Sequence, residues 1–207
     1  MSRILWVVRH AEREDNINSN WHKNSNPQKL NLDNSPLSSR GKKQAVELAT
    51  RFSKVPIDHI FASPFERTVQ TATLLISKRD IPIKVEPGLA EALYLCESAP
   101  GFEGPNELKK RFPLIDPEYE SIYKKPMPKE GFGDDAYSEE MRRNSIVLVS
   151  HGSPIGALHE VLVGEWNYVG QATVSKFVET GKGTGKFRQE FTNDSSHLSD
   201  QSNLRAY

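Results

Sequence analysis

Two histidines stand at matching places in this chain. His10 follows Arg9 at the end of the apolar run Ile4-Leu5-Trp6-Val7-Val8, and His151 follows Ser150 at the end of Ile146-Val147-Leu148-Val149. A further cation, Arg67, falls about one turn into a helix opened by Ser63-Pro64-Phe65-Glu66, and Glu91 follows a short apolar stretch at residues 83–85. Two arginines, two histidines and a helix amino terminus would make a local anion site. A phosphoryl group suits such a site, because guanidinium forks match phosphate oxygens bidentately. A neutral imidazole can attack phosphorus directly, and nearby cations depress its pKa and favour that neutral form. Transfer would then pass through a phosphohistidine in two in-line steps, with Glu91 as candidate general acid for the leaving oxygen. Singly, each residue has a plainer explanation: a hydrogen-bonding histidine, an arginine paired with Glu66 or Asp58, an ordinary loop carboxylate. Their joint arrival at strand ends is what points to chemistry.

Those ends need a scaffold. Unbroken apolar runs at residues 4–8 and 146–150 read as strands buried on both faces, as in parallel sheets, and ligands bind at the carboxyl ends of such strands. Residues 57–62 and 83–85 read as two more. Leu37-Ser38-Ser39-Arg40-Gly41 opens a helix whose Ala45, Leu48, Ala49 and Phe52 recur at helical spacing. Ser63 as cap, Pro64 at the first helical position and Glu66 completing a capping box predict a second, with Val69, Ala72, Leu75 and Ile76 buried. Ser153-Pro154 repeats the cap-then-proline pattern, with Ile155, Leu158, Val161 and Leu162 as core face. Residues 174–179 and 186–191 read as an antiparallel pair across a Gly-rich turn. The expected fold is a three-layer α/β/α sandwich with a mainly parallel central sheet, in one domain over residues 1–207. Within it, residues 14–36 form a flap-like loop, 94–135 an irregular insertion with a short helical piece near 107–112, and 192–207 a polar tail.

Lys+Arg and Asp+Glu each number 27, so net charge is +0 and any basic site must be local; neither nucleic acid nor a membrane is an expected partner. Cys96 is the only cysteine, which excludes an intrachain disulfide and a cysteine metal cluster and suits a reducing, cytoplasmic setting. Residues 4–8 are too short for a signal-peptide core, and no run approaches a membrane span. There is no His-Glu-x-x-His, no Gly-x-Ser-x-Gly elbow and no Gly-x-x-x-x-Gly-Lys-[Ser/Thr] loop. No metal and no cofactor is expected.

The motifs resemble the histidine phosphatase superfamily, the phosphoglycerate-mutase-like proteins. Val8-Arg9-His10-Ala11-Glu12 is similar to its Arg-His-Gly signature, with Ala11 where glycine is usual. Leu37-Ser38-Ser39-Arg40-Gly41-Lys42-Lys43-Gln44-Ala45 resembles its Leu-Thr-x-x-Gly-x-x-Gln-Ala helix. Ser63-Pro64-Phe65-Glu66-Arg67-Thr68-Val69-Gln70-Thr71-Ala72 and Ser150-His151-Gly152 resemble its second arginine and second histidine motifs. The resemblance implies a phosphoglycerate-mutase-like fold, His10 as nucleophile, Glu91 as proton donor, His151 as a catalytic phosphate-pocket residue, and Arg9 and Arg67 as phosphate ligands. It further implies Asn16 as a phosphate contact. Arg13 resembles one branch, the phosphatase domains of the ubiquitin-associated, SH3-containing signalling suppressors and the ecdysteroid-phosphate phosphatases, and is implied to line the phosphate site. On that resemblance, the catalytic unit of the branch is what residues 1–207 are expected to represent. Unlike the family's long helix before the last parallel strand, residues 134–143 offer only a short one.

The expected activity is that of a metal-independent phosphomonoesterase acting on a phosphorylated small molecule or a phosphoprotein. Trp21 and Phe102 would form an apolar wall beside the phosphate pocket, favouring bulky or aryl phosphates, phosphotyrosine or a steroid phosphate among them, since apolar burial contributes on the order of 25 cal/mol per Å². The alternatives are a phosphoglycerate mutase and a non-catalytic phosphate-binding scaffold. A homodimer is the self-assembly compatible with this reading.

Overall fold

The computed structural model describes residues 2–123 and 145–205. Among the described residues six strands form one sheet: β1 (Ile4–Arg9), β2 (His59–Ala62), β3 (Ile83–Val85), β4 (Ser145–Ser150), β5 (Val174–Glu179) and β6 (Phe187–Asp194), in the order β3-β2-β4-β1-β5-β6. The pairs β3/β2, β2/β4 and β4/β1 are parallel; β5 runs antiparallel to β1, and β6 antiparallel to β5. β1 and β4 are central, so side chains on both of their faces are buried, and this is why each appears in the sequence as an unbroken apolar run.

Successive residues of one strand serve opposite faces. Trp6, Val8, Ile60, Ala62, Val147 and Val149 face one core with Ala45, Leu48 and Phe52 of α2 (Ser39–Phe52) and Val69, Ala72 and Leu75 of the next long helix. Leu5, Val7, Phe61, Ile146 and Leu148 face the other, with Ile155 and Phe177. Among the described residues the helices in chain order are α1 (Trp21–Asn24), α2 (Ser39–Phe52), α3 (Glu66–Leu75), α4 (Pro105–Arg111) and α5 (Gly152–Val163). α2 and α3 cover one face and α5 the other, giving three layers. The short helix expected at residues 134–143 lies outside the described residues.

α2 is seated by a close approach. Ser38 caps it by accepting from the Gly41 amide at 2.9 Å. A Cβ on Gly41 would come within 2.1 Å of the Glu12 carbonyl oxygen, so only glycine lets the helix meet the chain just past His10.

Three expectations need correction. α3 begins at Glu66, with Phe65 at its cap position and no capping bond from Phe65's own side chain. Ser63 does not cap it; the Asn34 carboxamide oxygen does, accepting from the Glu66 amide at 2.7 Å. The Glu66 carboxylate turns to Arg111 rather than completing a capping box. α5 starts at Gly152 with His151 as its cap residue, so Ser153 is already inside it. Val161 is 74% exposed and not part of the core face; His159, fully buried, takes that role beside Ile155.

The first loop is built rather than loose. Residues Glu14–Asn16 form a 3-10 turn, Trp21 is 1% exposed, and Asn26 brackets Leu30 through both its amide and its carbonyl at 2.8 Å. Residues 195–205 carry no regular element, yet Leu198 is buried in the core and Leu204 packs against it.

Candidate active site

The parallel pairing of β1 with β4 sets the site. Arg9 lies opposite Ser150, and the His10 amide donates to the Ser150 carbonyl at 2.9 Å, so the two strands end side by side. Their next residues, His10 and His151, meet with ring centroids 5.2 Å apart. Both are buried.

His10 Nδ1 lies 2.8 Å from the Ala11 carbonyl oxygen. A carbonyl only accepts, so Nδ1 carries the proton and Nε2 holds the lone pair. Burial, followed by the charges of Arg67, Arg9 and Arg13, holds the His10 pKa well below 6.5. The imidazole is therefore neutral near pH 7, with a free lone pair at Nε2. Ala11, in the place where the family usually has glycine, is fully buried with its amide donating to Thr71 Oγ1 at 3.1 Å, and its methyl is accommodated without a left-handed backbone.

His151 Nε2 pairs with Ser63 Oγ at 2.7 Å, and Nδ1 is buried without a partner among the described residues. Burial and then Arg67 lower this pKa too. When Ser63 donates its hydroxyl proton to Nε2, Nδ1 is the protonated nitrogen and is left with an unused donor.

The guanidiniums converge on the same place. Arg67 is fully buried inside the first turn of α3, over the Phe65 ring at 4.3 Å, with Nη1 donating to the Asp33 carbonyl at 3.0 Å and Nε left without a partner. Its pKa falls to about 9, burial first and Arg13 next. Arg9 donates from Nη1 to the carbonyls of Val169, at 2.6 Å, and Arg205; its Nε is likewise unpartnered, and burial brings its pKa to about 10. Unpaired guanidinium nitrogens buried among like charges are what a bound dianion would satisfy.

Arg13 lies close enough to affect Arg9, His10, Arg67 and His151. Asp15 holds it in a fork, Nε to Oδ1 at 2.7 Å and Nη2 to Oδ2 at 2.5 Å. Glu91, between the 3-10 turns Pro87–Leu89 and Leu93–Leu95, acts on both Arg9 and Arg67 and accepts from the Ala92 amide at 3.0 Å. Other carboxylates are engaged elsewhere: Glu12 with Ser38 and Arg40, Glu103 with Arg111. Asn16 stands at the edge, its side-chain oxygen accepting from Gln171 Nε2 at 2.8 Å. The structure thus brings Arg9, His10, Arg13, Arg67, Glu91 and His151 into one cluster and leaves Asn16 as part of its supporting loop.

Sequence reasoning missed several supports. Ser63 looks like a helix cap and instead holds His151. Glu86, buried, accepts from Gly88, Tyr119, Ser121 and Ile122 and so braces the turn before Glu91. Trp21 is buried in the loop interior rather than presented as a wall; the aromatic surface against the site is Phe65, edge-on to His151 at 5.2 Å, backed by Phe102 at 5.3 Å. Among the described residues no three His, Cys, Asp or Glu side chains are grouped to hold a metal ion, and no helix is long and apolar enough to cross a membrane.

The sequence model of the histidine phosphatase superfamily (branch 1) matches residues 5–113. The chain belongs to that superfamily. It is accordingly a phosphatase, a phosphoric monoester hydrolase. Among characterised relatives of this histidine phosphatase, the adenosylcobalamin/alpha-ribazole phosphatase of Escherichia coli (strain K12) is 26% identical over 177 residues, 77% of this chain and 79% of its own. Phosphoserine phosphatase 1 of Hydrogenobacter thermophilus is 28% identical over 174 residues, 77% of this chain and 76% of its own. The ecdysone phosphate phosphatase of Bombix mori, solved with tungstate, shares the fold with a TM-score of 0.62 at 21% identity, covering 87% of this chain and 93% of that one.

Proposed function

We propose that this phosphatase works without a metal, through a phosphohistidine on His10, and that its substrates are bulky or aryl phosphomonoesters. The observation that carries the mechanism is the His10 Nδ1 contact with Ala11, which leaves Nε2 unprotonated amid three arginines. Nε2 attacks phosphorus in line, the P–O ester bond breaks, and Glu91 protonates the departing oxygen. Water then attacks the phosphoryl group and gives its proton to Glu91; the P–N bond breaks and the lone pair returns to Nε2. Arg9, Arg13 and Arg67 hold the equatorial oxygens, with His151 Nδ1–H as a further donor.

The mutase alternative needs free cations for a substrate carboxylate. The basic run on α4 does not offer them: Lys109 donates to the carbonyls of Pro113 and Ile115, Lys110 to Glu107, and Arg111 to Glu66 and Glu103. The turn just after Glu91 instead exposes Tyr94 and Leu95, and Phe65 with Phe102 lies behind His151. Covering about 100 Å² of apolar leaving group there would contribute about 2–3 kcal/mol, one to two orders of magnitude in kcat/KM. The relatives include an adenosylcobalamin/alpha-ribazole phosphatase and an ecdysone phosphate phosphatase as well as a phosphoserine phosphatase, so the apolar rim is what favours the bulky class.

The test is kcat/KM across phosphotyrosine, a steroid phosphate, nitrophenyl phosphate, phosphoserine and phosphoglycerate. The aryl and steroid esters should lead by at least about tenfold. Phosphoserine at the head of the series, or phosphoglycerate isomerised rather than hydrolysed, would reject this assignment.

A further inference from the structure

Arg9 does not hold its position alone. The backbone oxygen of Arg205 accepts from Arg9 Nη1, and the Arg205 guanidinium donates from Nη2 to the Asn16 carbonyl at 3.2 Å. One residue thereby ties the end of β1 to the loop that carries Arg13. Arg205 adopts φ 51°, in the left-handed region that residues other than glycine take only uncommonly. Its Nε is buried without a partner among the described residues, as are the Nε atoms of Arg9 and Arg67.

The segment bearing it is anchored along its length. Leu198 is buried in the core, His197 Nε2 bonds the Ala172 carbonyl at 2.9 Å, and the Gln171 amide donates to the Leu204 carbonyl at 2.6 Å. Arg40 links the same segment to the site from the other side, donating to Glu12 at 2.7 Å, Asp200 at 2.9 Å and the Ser202 carbonyl at 2.5 Å. Ala172 in turn donates to the carbonyls of Arg9 and His10, both at 3.2 Å. Residues 195–205 are thus a strap under the phosphate cluster.

We infer that Arg205 is a fourth arginine of the phosphate site, a positioning residue that fixes Arg9 against the Asn16 loop and adds its charge to the field a phosphate dianion meets. Its charge registers at Arg9, among the influences lowering that pKa. Opposing so many like charges costs stability in the free protein and is offset when a dianion enters. The inference rests on the phosphate site assigned above.

Three variants separate charge from contact. Arg205→Gln keeps a donor for Asn16 without the charge, Arg205→Lys keeps the charge, and Arg205→Met keeps neither. The readouts are competitive inhibition by inorganic phosphate, KM against kcat for nitrophenyl phosphate, and Tm. The Gln and Met variants should raise the phosphate Ki and the KM about tenfold, and Lys, which keeps the charge, should restore both to within about threefold. Tm should fall little in Gln and Lys. An unchanged Ki in Gln, or a Ki as weak in Lys as in Met, would overturn the inference. Should Gln or Met fail to fold, Lys carries the test alone, and a tenfold weaker Ki with its Tm intact overturns it. His10→Ala in parallel separates the two readings: loss of turnover there with an unaffected Gln variant removes Arg205 and leaves the phosphatase site standing.

Discussion

His159 gives a quantitative test of how the element carrying His151 is held. Its ring is fully buried, 5.0 Å from Phe177, and neither ring nitrogen has a partner among the described residues. Burial alone lowers its pKa from 6.5 to about 4. The unfolded chain takes up this proton near pH 6.5, whereas the folded chain resists until about pH 4. The stability this confers is therefore fully present above pH 6.5 and is lost as pH falls from there toward 4. Between pH 7.5 and 4.5 the difference integrates to about 2–3 kcal/mol. At roughly 2–4 °C per kcal/mol for a chain of this size, His159 accounts for roughly 5–10 °C of acid-induced loss in Tm. His159→Leu deletes that proton-binding site and two unsatisfied polar atoms, so it should also be more stable at neutral pH. Thermal unfolding of both proteins at pH 7.5 and 4.5 measures the difference directly. Because α5 begins beside His151, the variant should also keep its activity longer at pH 4.5. Equal acid-induced losses in the two proteins would refute the reasoning.

Glu91→Gln should slow hydrolysis of an alkyl phosphate by about a hundredfold or more and that of nitrophenyl phosphate far less, because a good leaving group needs no proton; equal slowing of both would assign the acid to another group. The pH dependence of kcat/KM follows from the depressed pKa values of His10 and His151. Both rings stay neutral as pH falls through 6.5, so the wild-type profile should show no loss of activity centred there; a break at 6.5 that does not follow the titration of the substrate phosphate would contradict the electrostatics.

Much of the site was legible because its residues sit at the ends of β1 and β4, and a strand buried on both faces leaves an apolar run that stops abruptly where polar chemistry begins. Capping was not legible in the same way. A serine after a strand serves equally well as a cap or as a partner for a distant imidazole, and only the fold puts Ser63 beside His151, 88 residues away. The true cap of α3, Asn34, comes from 32 residues upstream. Val161 was misjudged because it lies roughly 120° round the helix from Ile155, while the buried position about 40° to the other side of Ile155 went to His159, which looks polar. Residues 195–205 have neither helical nor strand periodicity; their order comes from single side chains, Leu198 in the core and Arg40 across to Asp200, which no local pattern encodes. Trp21 likewise lies inside a loop whose packing depends on contacts the sequence does not announce.

The central claim is that His10 is the group that takes the phosphoryl. Rapid alkaline quenching during turnover of nitrophenyl phosphate, followed by peptide mass spectrometry, reads it directly. A single acid-labile, alkali-stable phosphoryl group should appear on the peptide containing His10, at Nε2, and both it and turnover should be absent from His10→Ala. A phosphoryl group on His151, or undiminished hydrolysis by His10→Ala, would contradict the account.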